Sequence, residues 1–431
     1  MKVLIISHNP ITDYNNMGKT LLSLFSEFSE EELIQLYIYP TIPNLKKCGS
    51  YFRITDKEVL KSIFTLNSAG KKIERQEIHS DNKLYQNNKE ELIFQNKNKS
   101  KYIKLICRSI LWKLGHWKSL ELSNWLNIEK PDCIFVAPGS SLFFYHVVTY
   151  ISQKLDVPVV SYICDDFYFS SITPSLIGRF YMRFLRKEIK KRITKSKTVL
   201  TICEELTDAY IKEFGCDAKT VSTGTNFCIT DSIPKVKQET IAYFGGLSIN
   251  RDLSLSHIGE ALDRINETDN THYRLEIYAS IQAKEQGKVF EHIKSIQMMN
   301  IIPGSKVFEA MQSYRLLIHA ESFQPQDRLR VRYSISTKIA DSLASGVCLL
   351  AYGPQDIASI QYLKKNACAA VVTDRKDLED TIRRLMDSGK LRSNYADKAR
   401  IVASKNHDST KQSRMVKRIL KGCIEHESIA D

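Results

Sequence analysis

The sequence contains no apolar run approaching the roughly 18 to 20 residues that span a bilayer, which excludes an ordinary transmembrane helix. The opening Met1-Lys2-Val3-Leu4-Ile5-Ile6-Ser7 is too short an apolar run for a signal peptide and reads as a first β-strand. Ten cysteines stand at 48, 107, 133, 164, 203, 216, 228, 348, 368 and 423, but none form a CxxC pair or a finger spacing. Such scatter excludes a zinc finger and reads as reduced thiols of the cytosol rather than a disulfide framework. No His/Cys cluster has metal-ligand spacing and the second half has no Asp-x-Asp, so no metal is indicated. Gly18-Lys19-Thr20 lacks the glycine that a phosphate loop needs five residues earlier, where Asp13 stands. No repeat of solenoid period is present.

What is there is a chain of 431 residues, long enough for two domains with their own cores. A hydrophobic fraction of 43% and a mean hydropathy of −0.27 are those of soluble globular proteins. The 62 Lys and Arg against 49 Asp and Glu leave a formal charge of +13, which calls for an anionic partner or surface. This charge concentrates in Lys97 to Lys118 and Arg179 to Lys197, mixed with aromatic and aliphatic residues. The mixture favours an anionic membrane surface over nucleic acid. For the second of these segments, the alternative is a helix whose aromatics pack inward while its lysines are solvated.

Strand and helix patterns alternate along the chain. Strands are predicted at Val3 to Ser7, Leu33 to Tyr39, Cys133 to Ala137, Pro158 to Ile163 and Thr198 to Cys203, and helices at Lys104 to Leu126, Ile177 to Lys197 and after Glu204, with an apolar run at Leu142 to Ile151. Residues 51–101 are polar, rich in Lys and Asn, and read as a helical excursion or loop. His8 and Gly18 follow the first strand, and Asp165-Asp166 follows the strand ending at Ile163. Ligands of parallel α/β sheets sit beyond such strand ends. The acidic pair is either a substrate contact or a capping turn. Residues 231–239, with Pro234, have linker composition, and the alternation then restarts. Strands are predicted at Thr240 to Phe244, Tyr273 to Tyr278 and Leu316 to His319; helices at Ser254 to Ile265, up to about Met299, at Lys306 to Ser313 and at Lys411 to Cys423.

The most informative stretch is Ser334 to Ala351. A polar lead-in, Ser336-Thr337-Lys338, passes into a helical pattern of Ile339, Ala340, Leu343 and Ala344, stops at Gly346 and gives way to a buried-strand run. Unpaired N–H groups at a helix start suit a phosphate, Lys338 adds a full charge, and the Asp341 carboxylate suits two ribose hydroxyls. An ordinary capped helix with a surface Lys-Asp pair has the same pattern.

Tyr243-Phe244-Gly245-Gly246-Leu247 with Arg251, then Glu321-Ser322-Phe323, then the stretch from Ser336 to Gly346 resemble, in this order, the motifs of the GT-B glycosyltransferases, most closely the retaining bacterial family 4. The second half resembles that family over most of its length, the first half only in outline. The resemblance implies an α/β GT-B fold, two Rossmann-like doubly wound domains facing a cleft. Residues 1–230 would bind the acceptor and 240–406 the nucleotide sugar, with 231–239 as linker and 407–431 as a C-terminal helix packing back on the first domain.

It further implies sugar transfer from a nucleotide-sugar donor to a glycan or lipid-linked acceptor, with retention, in surface polysaccharide biosynthesis. Arg251, Lys338 and Glu321 would carry catalysis, the first two on the diphosphate and Glu321 on the donor sugar. Gly245, Gly246, Ser336, Thr337 and Asp341 would complete the donor site, and His8, Gly18, Asp165 and Asp166 would lie on the acceptor side. No metal and no cofactor are implied, the nucleotide sugar being a substrate. The expected place is the cytoplasm, peripheral on the inner face of the plasma membrane. Two departures stand out: Leu255 and Ser256 occupy the region of a family lysine, and Asp341 replaces the commoner Glu. A non-catalytic GT-B partner subunit and a sugar-nucleotide epimerase are the alternatives.

Overall fold

Strands buried along their whole length and helices with one apolar face build two parallel sheets. The computed structural model describes residues 1–13, 16–65, 67–78, 101–170, 173–225, 237–279 and 286–425. The chain divides into two units, Met1–Ser222 with the segment from Thr410 onward, and Thr223–Ser409.

The first unit contains β1 (Val3–Ser7), α1 (Asn16–Leu24), β2 (Leu33–Tyr37), β3 (Ser50–Arg53), α2 (Asp56–Thr65), β4 (Lys71–Ile73), α3 (Lys101–Leu114), α4 (Leu120–Glu129), β5 (Cys133–Ala137), α5 (Leu142–Leu155), β6 (Val159–Ile163), α6 (Leu176–Thr194), β7 (Thr198–Thr201), α7 (Glu204–Phe214) and β8 (Ala218–Thr220). Its eight strands run in the order β4-β3-β2-β1-β5-β6-β7-β8, parallel except for the edge strand β4. Every residue of β1, β2, β5 and β6 is buried, as expected of strands covered by helices on both faces.

Two expectations need correction here. The helix predicted over 104–126 is two helices: past Leu114 the His116 N–H donates to the Ser62 hydroxyl at 3.0 Å and its carbonyl accepts from Ala69 at 3.0 Å, and Gly115 between them lies so close to Val59 that a Cβ would come within 2.4 Å of its Cγ1. The Ser119 hydroxyl then starts α4 by accepting from the Leu122 N–H at 3.0 Å. Residues 50–73 carry two strands and a helix where a helical excursion or loop was expected; residues 79–100 lie outside the described residues.

The second unit contains β9 (Lys237–Phe244), α8 (Arg251–Asp269), β10 (Arg274–Tyr278), β11 (Ile296–Met299), α9 (Gly304–Gln312), β12 (Tyr314–Ala320), α10 (Pro325–Val331), α11 (Thr337–Ala344), β13 (Leu349–Tyr352), α12 (Ala358–Lys365), β14 (Ala370–Val372), α13 (Leu378–Asp387) and α14 (Gly389–Asn406). Its sheet is wholly parallel in the order β11-β10-β9-β12-β13-β14, the doubly wound Rossmann order. Strand β9 starts at Lys237, inside the segment read as linker; residues 231–236 of that segment lie outside the described residues.

The helix expected up to Met299 ends instead in the edge strand β11. Ser295 is tied down by the Asp263 carboxylate, which accepts from its N–H at 2.8 Å, and its own hydroxyl donates to the Gly259 carbonyl at 2.8 Å. Its carbonyl accepts from Leu275, so residues 296–299 pair with β10.

A last helix, α15 (Ser409–Glu425), returns to the first unit. Val416, Leu420 and Cys423 enter its core, and Lys417 meets Glu32 at 2.6 Å. Apolar burial and ion pairing act together there.

Candidate functional site

In the second sheet the chain order reverses between β9 and β12, so the loops leaving those two strands diverge and open a crevice at their carboxyl ends. Gly245 and Gly246 leave β9, Glu321 leaves β12, and α8 and α11 begin beside them. A pocket of about 460 Å³ empty volume lies there, with Gly245, Gly246, Arg251, His319, Ser336 and Lys338 in its walls.

Each wall residue is placed by local chemistry. A Cβ on Gly245 would come 2.4 Å from the Tyr243 hydroxyl, which donates to the Gly246 carbonyl at 2.9 Å, so glycine is needed there for close packing. A Cβ on Gly246 would meet nothing nearer than 3.8 Å, so this position has room. Neither glycine adopts a positive φ; the left-handed residues are Ile249 (φ 64°) and Asn250 (φ 48°), immediately before α8. Two consecutive non-glycine residues in that region store strain of about 1–3 kcal/mol each, a feature that gathers at functional sites. The Asn250 amide holds the bend by donating to Asp327 at 2.7 Å, and the helix then starts at Arg251.

Arg251 donates through Nε (3.1 Å) and Nη2 (2.9 Å) to one oxygen of Glu321. The other Glu321 oxygen faces His319 Nε2 at 3.3 Å, and that nitrogen is also 3.2 Å from the Ser359 hydroxyl. Ser254 donates to the Glu321 carbonyl at 2.7 Å. Glu321 is only 2% exposed. Burial alone would raise its pKa, but the His319 hydrogen bond and the Arg251 charge hold it below the ordinary carboxylate value. Arg251 responds in the opposite sense: burial lowers its pKa, and Glu321 more than restores it.

At the other wall the Ser336 side chain caps α11, accepting from the Lys338 N–H at 3.4 Å. Helix start and Lys338 thus combine a partial and a full positive charge. Glu321, Thr337 and Asp341 do not line the pocket: Glu321 lies behind Arg251, and Asp341 is half-buried three residues along α11 from Lys338. His319, read from the sequence only as a strand end, was detectable as a site residue only as a histidine two residues before Glu321, the spacing that puts side chains on one face of a strand.

The first sheet reverses order between β1 and β5, and a larger hollow of about 1010 Å³ lies at their carboxyl ends. His8 and Asp165 are in its walls. His8 stacks on Phe144 at 4.4 Å, and burial together with the Arg108 charge pushes its pKa down to about 3, so it is neutral at working pH.

Asp166 is a capping residue: its carboxylate accepts from the N–H groups of Tyr168 (2.9 Å), Phe169 (3.0 Å) and Ser170 (2.7 Å). Gly18 is likewise outside the hollow's walls, in the first turn of α1, where a Cβ would come 2.8 Å from the Thr12 backbone nitrogen. Arg108 and Asp56 are in the walls and were missed, because an arginine inside a basic helix pattern gives no sign that it faces inward. Among the described residues no group of three or more His, Cys, Asp or Glu is placed to hold a metal ion.

No protein-family model matches the sequence, and no curated protein does. Solved structures are similar throughout. Sucrose-phosphate synthase from Thermosynechococcus elongatus superposes with a TM-score of 0.64 at 9% identity, over 99% of both chains. Anabaena HepE in complex with UDP-glucose gives 0.61 at 12% identity, over 98% of this chain and 100% of that one. WaaG, a glycosyltransferase involved in lipopolysaccharide biosynthesis, gives 0.57 at 11% identity, over 97% and 99%. The chain shares their fold, the GT-B fold of two Rossmann-like domains.

Proposed function

We propose that the chain is a glycosyltransferase that moves a sugar from a nucleotide-sugar donor to a hydroxyl of a glycan or lipid-linked acceptor, the donor held on the second domain and the acceptor on the first. The observation that carries this reading is the meeting of Arg251, Lys338 and two helix starts around one crevice, 87 residues apart in sequence at their extremes. Transfer from a nucleotide sugar leaves a diphosphate, and such a site neutralises it without any other reactive group. The similar structures that hold UDP-glucose support the donor class. Lys338 stands in for the lysine missing at Leu255 and Ser256, which favours turnover over a non-catalytic partner subunit. Retention of configuration and a role in surface polysaccharide synthesis follow by resemblance. Within this reading Glu321 acts through Arg251, and Asp341 takes the ribose.

The test is a thermal-stability screen with UDP-, GDP-, ADP- and dTDP-sugars. One nucleotide class at 100 times its dissociation constant is expected to add about 2.7 kcal/mol. Silence from all four classes sinks the donor assignment.

The outward face of α6 supports a seat on an anionic membrane. Phe180 (61% exposed) and Phe184 (46% exposed) lie side by side, 4.7 Å between ring centroids, with Leu176 and Ile177 exposed on the same helix. Arg179, Arg183, Lys187, Lys190 and Lys191 are exposed around them. Three residues within Arg179 to Lys197 do not belong to this face. Tyr181 is buried and donates to the Ser140 carbonyl at 2.8 Å, Arg186 donates to the Tyr168 carbonyl at 2.8 Å, and Arg192 is buried. Each remaining cation near such a surface contributes on the order of 1 kcal/mol. Binding to anionic liposomes is expected to weaken with salt and on changing Lys187, Lys190 and Lys191 to Glu; equal recovery with neutral and anionic vesicles contradicts the seat.

A further inference from the structure

In the hollow of the first domain, Arg108 is a cation fixed on two sides. Its Nε donates to the Asp56 carboxylate at 2.9 Å, and its guanidinium carbon stands 4.6 Å from the centre of the Phe143 ring. Asp56, 7% exposed, is itself held by the Trp112 indole N–H at 2.7 Å. The Arg108 side chain is 16% exposed and lines the hollow, yet its two terminal nitrogens have no hydrogen-bond partner among the described residues. A guanidinium carries five N–H donors in a rigid plane, and the terminal pair matches two oxygens of a phosphate or carboxylate at once. Fixing the plane by Asp56 and Phe143 lowers the entropy lost when that pair is filled.

The rest of the hollow suits a polyhydroxylated body. Asp56 follows β3 and Asp165 follows β6, with β2, β1 and β5 between them in the sheet. Asp165, Asn9, Ser140 and Ser141 offer hydroxyl partners away from Asp56, while Leu105 and Phe167 supply apolar wall. Neutral His8 adds no second positive charge, so Arg108 is the group in these walls that draws an anion.

We propose that Arg108 binds the anionic group of a phosphorylated acceptor, with Asp56 and Phe143 as positioning residues. Calling the ligand an acceptor rests on the glycosyltransferase reading; the anion site does not. The phosphate belongs either to a soluble sugar phosphate or to a lipid carrier. Helix α3 bears on the lipid source, because it carries Arg108 into the hollow and leaves Ile103, Ile110 and Leu114 exposed.

The experiment titrates the full chain with two matched pairs, glucose 6-phosphate against glucose and farnesyl phosphate against farnesol, and with UDP in parallel. The wild type is expected to bind the phosphorylated member of one pair at least about 10-fold more tightly than its partner, and the preferred pair identifies the source. Arg108→Gln is expected to abolish the preference and leave UDP affinity unchanged, whereas Arg251→Ala does the reverse. Asp56→Asn, which keeps the arginine but loosens it, is expected to weaken phosphate binding several-fold, and it replaces Arg108→Gln if that variant does not fold. Absence of preference in both wild-type pairs, or a preference that survives Arg108→Gln and Asp56→Asn, overturns the proposal. A wild type that shows the phosphate preference but binds none of UDP, GDP, ADP and dTDP overturns the donor reading and leaves this one standing.

Discussion

Arg251→Ala is expected to lower turnover by about 100-fold or more, because in the proposed sugar transfer negative charge would accumulate on the leaving diphosphate and Arg251 is the guanidinium in the pocket wall. The same change removes the cation from a buried carboxylate, since Glu321 is 2% exposed and Arg251 donates to it twice. Breaking such a pair from one side costs about 3–5 kcal/mol. The two effects are separable. Arg251→Ala with Glu321→Gln removes the stranded charge, so stability is expected to recover substantially while turnover stays low. Recovery of turnover in the double variant would show that Arg251 serves the fold and not the diphosphate.

Glu321→Ala carries the second large effect. It leaves the Arg251 guanidinium half-buried without its partner and removes the acceptor that faces His319. A loss of about 3–5 kcal/mol in denaturant unfolding is expected, with turnover falling because Arg251 is no longer held. The pH dependence has a definite sign. The folded-state pKa of Glu321 lies below its ordinary value of 4.5, so the unfolded chain binds this proton first as pH falls. The stability contributed by Glu321 is therefore complete above about pH 4.5 and is lost below it as pH falls through the folded-state value. Unfolding of wild type and Glu321→Gln compared at neutral and acid pH checks this: the gap between them is expected to narrow in acid. A gap that is constant or widens in acid contradicts a depressed pKa.

The sheets were legible because fully buried parallel strands leave unbroken apolar runs, such as Val3 to Ser7 and Cys133 to Ala137, flanked by turn residues. Strand β11 was not, because Ile296 to Met299 is short and lies at an edge, and a tie from Asp263, 32 residues away, decides its state. The break at Gly115 was hidden for a related reason: the glycine is required by Val59, a contact invisible in a helical periodicity.

In the site, Gly245, Gly246, Arg251, Ser336 and Lys338 stand together because each sits at a strand end or helix start, which punctuation residues mark in a sequence. The pairing of Glu321 with Arg251 was not readable, since 70 residues separate them and either alone suits a ligand. The acidic pair divides: Asp166 closes a turn by accepting backbone N–H groups, as the capping reading has it, whereas Asp165 lines the hollow.

The central claim, that Arg251 and Lys338 hold one diphosphate, is tested most directly by calorimetric titration of UDP, or of the nucleoside diphosphate of whichever donor class stabilises the chain, into wild type, Arg251→Ala, Lys338→Ala and the double variant. Two charges on one ligand are expected to weaken binding at least about 10-fold each and to show a coupling energy of about 0.5 kcal/mol or more in the double-mutant cycle. Unchanged affinity in either single variant, or strictly additive losses, would contradict it.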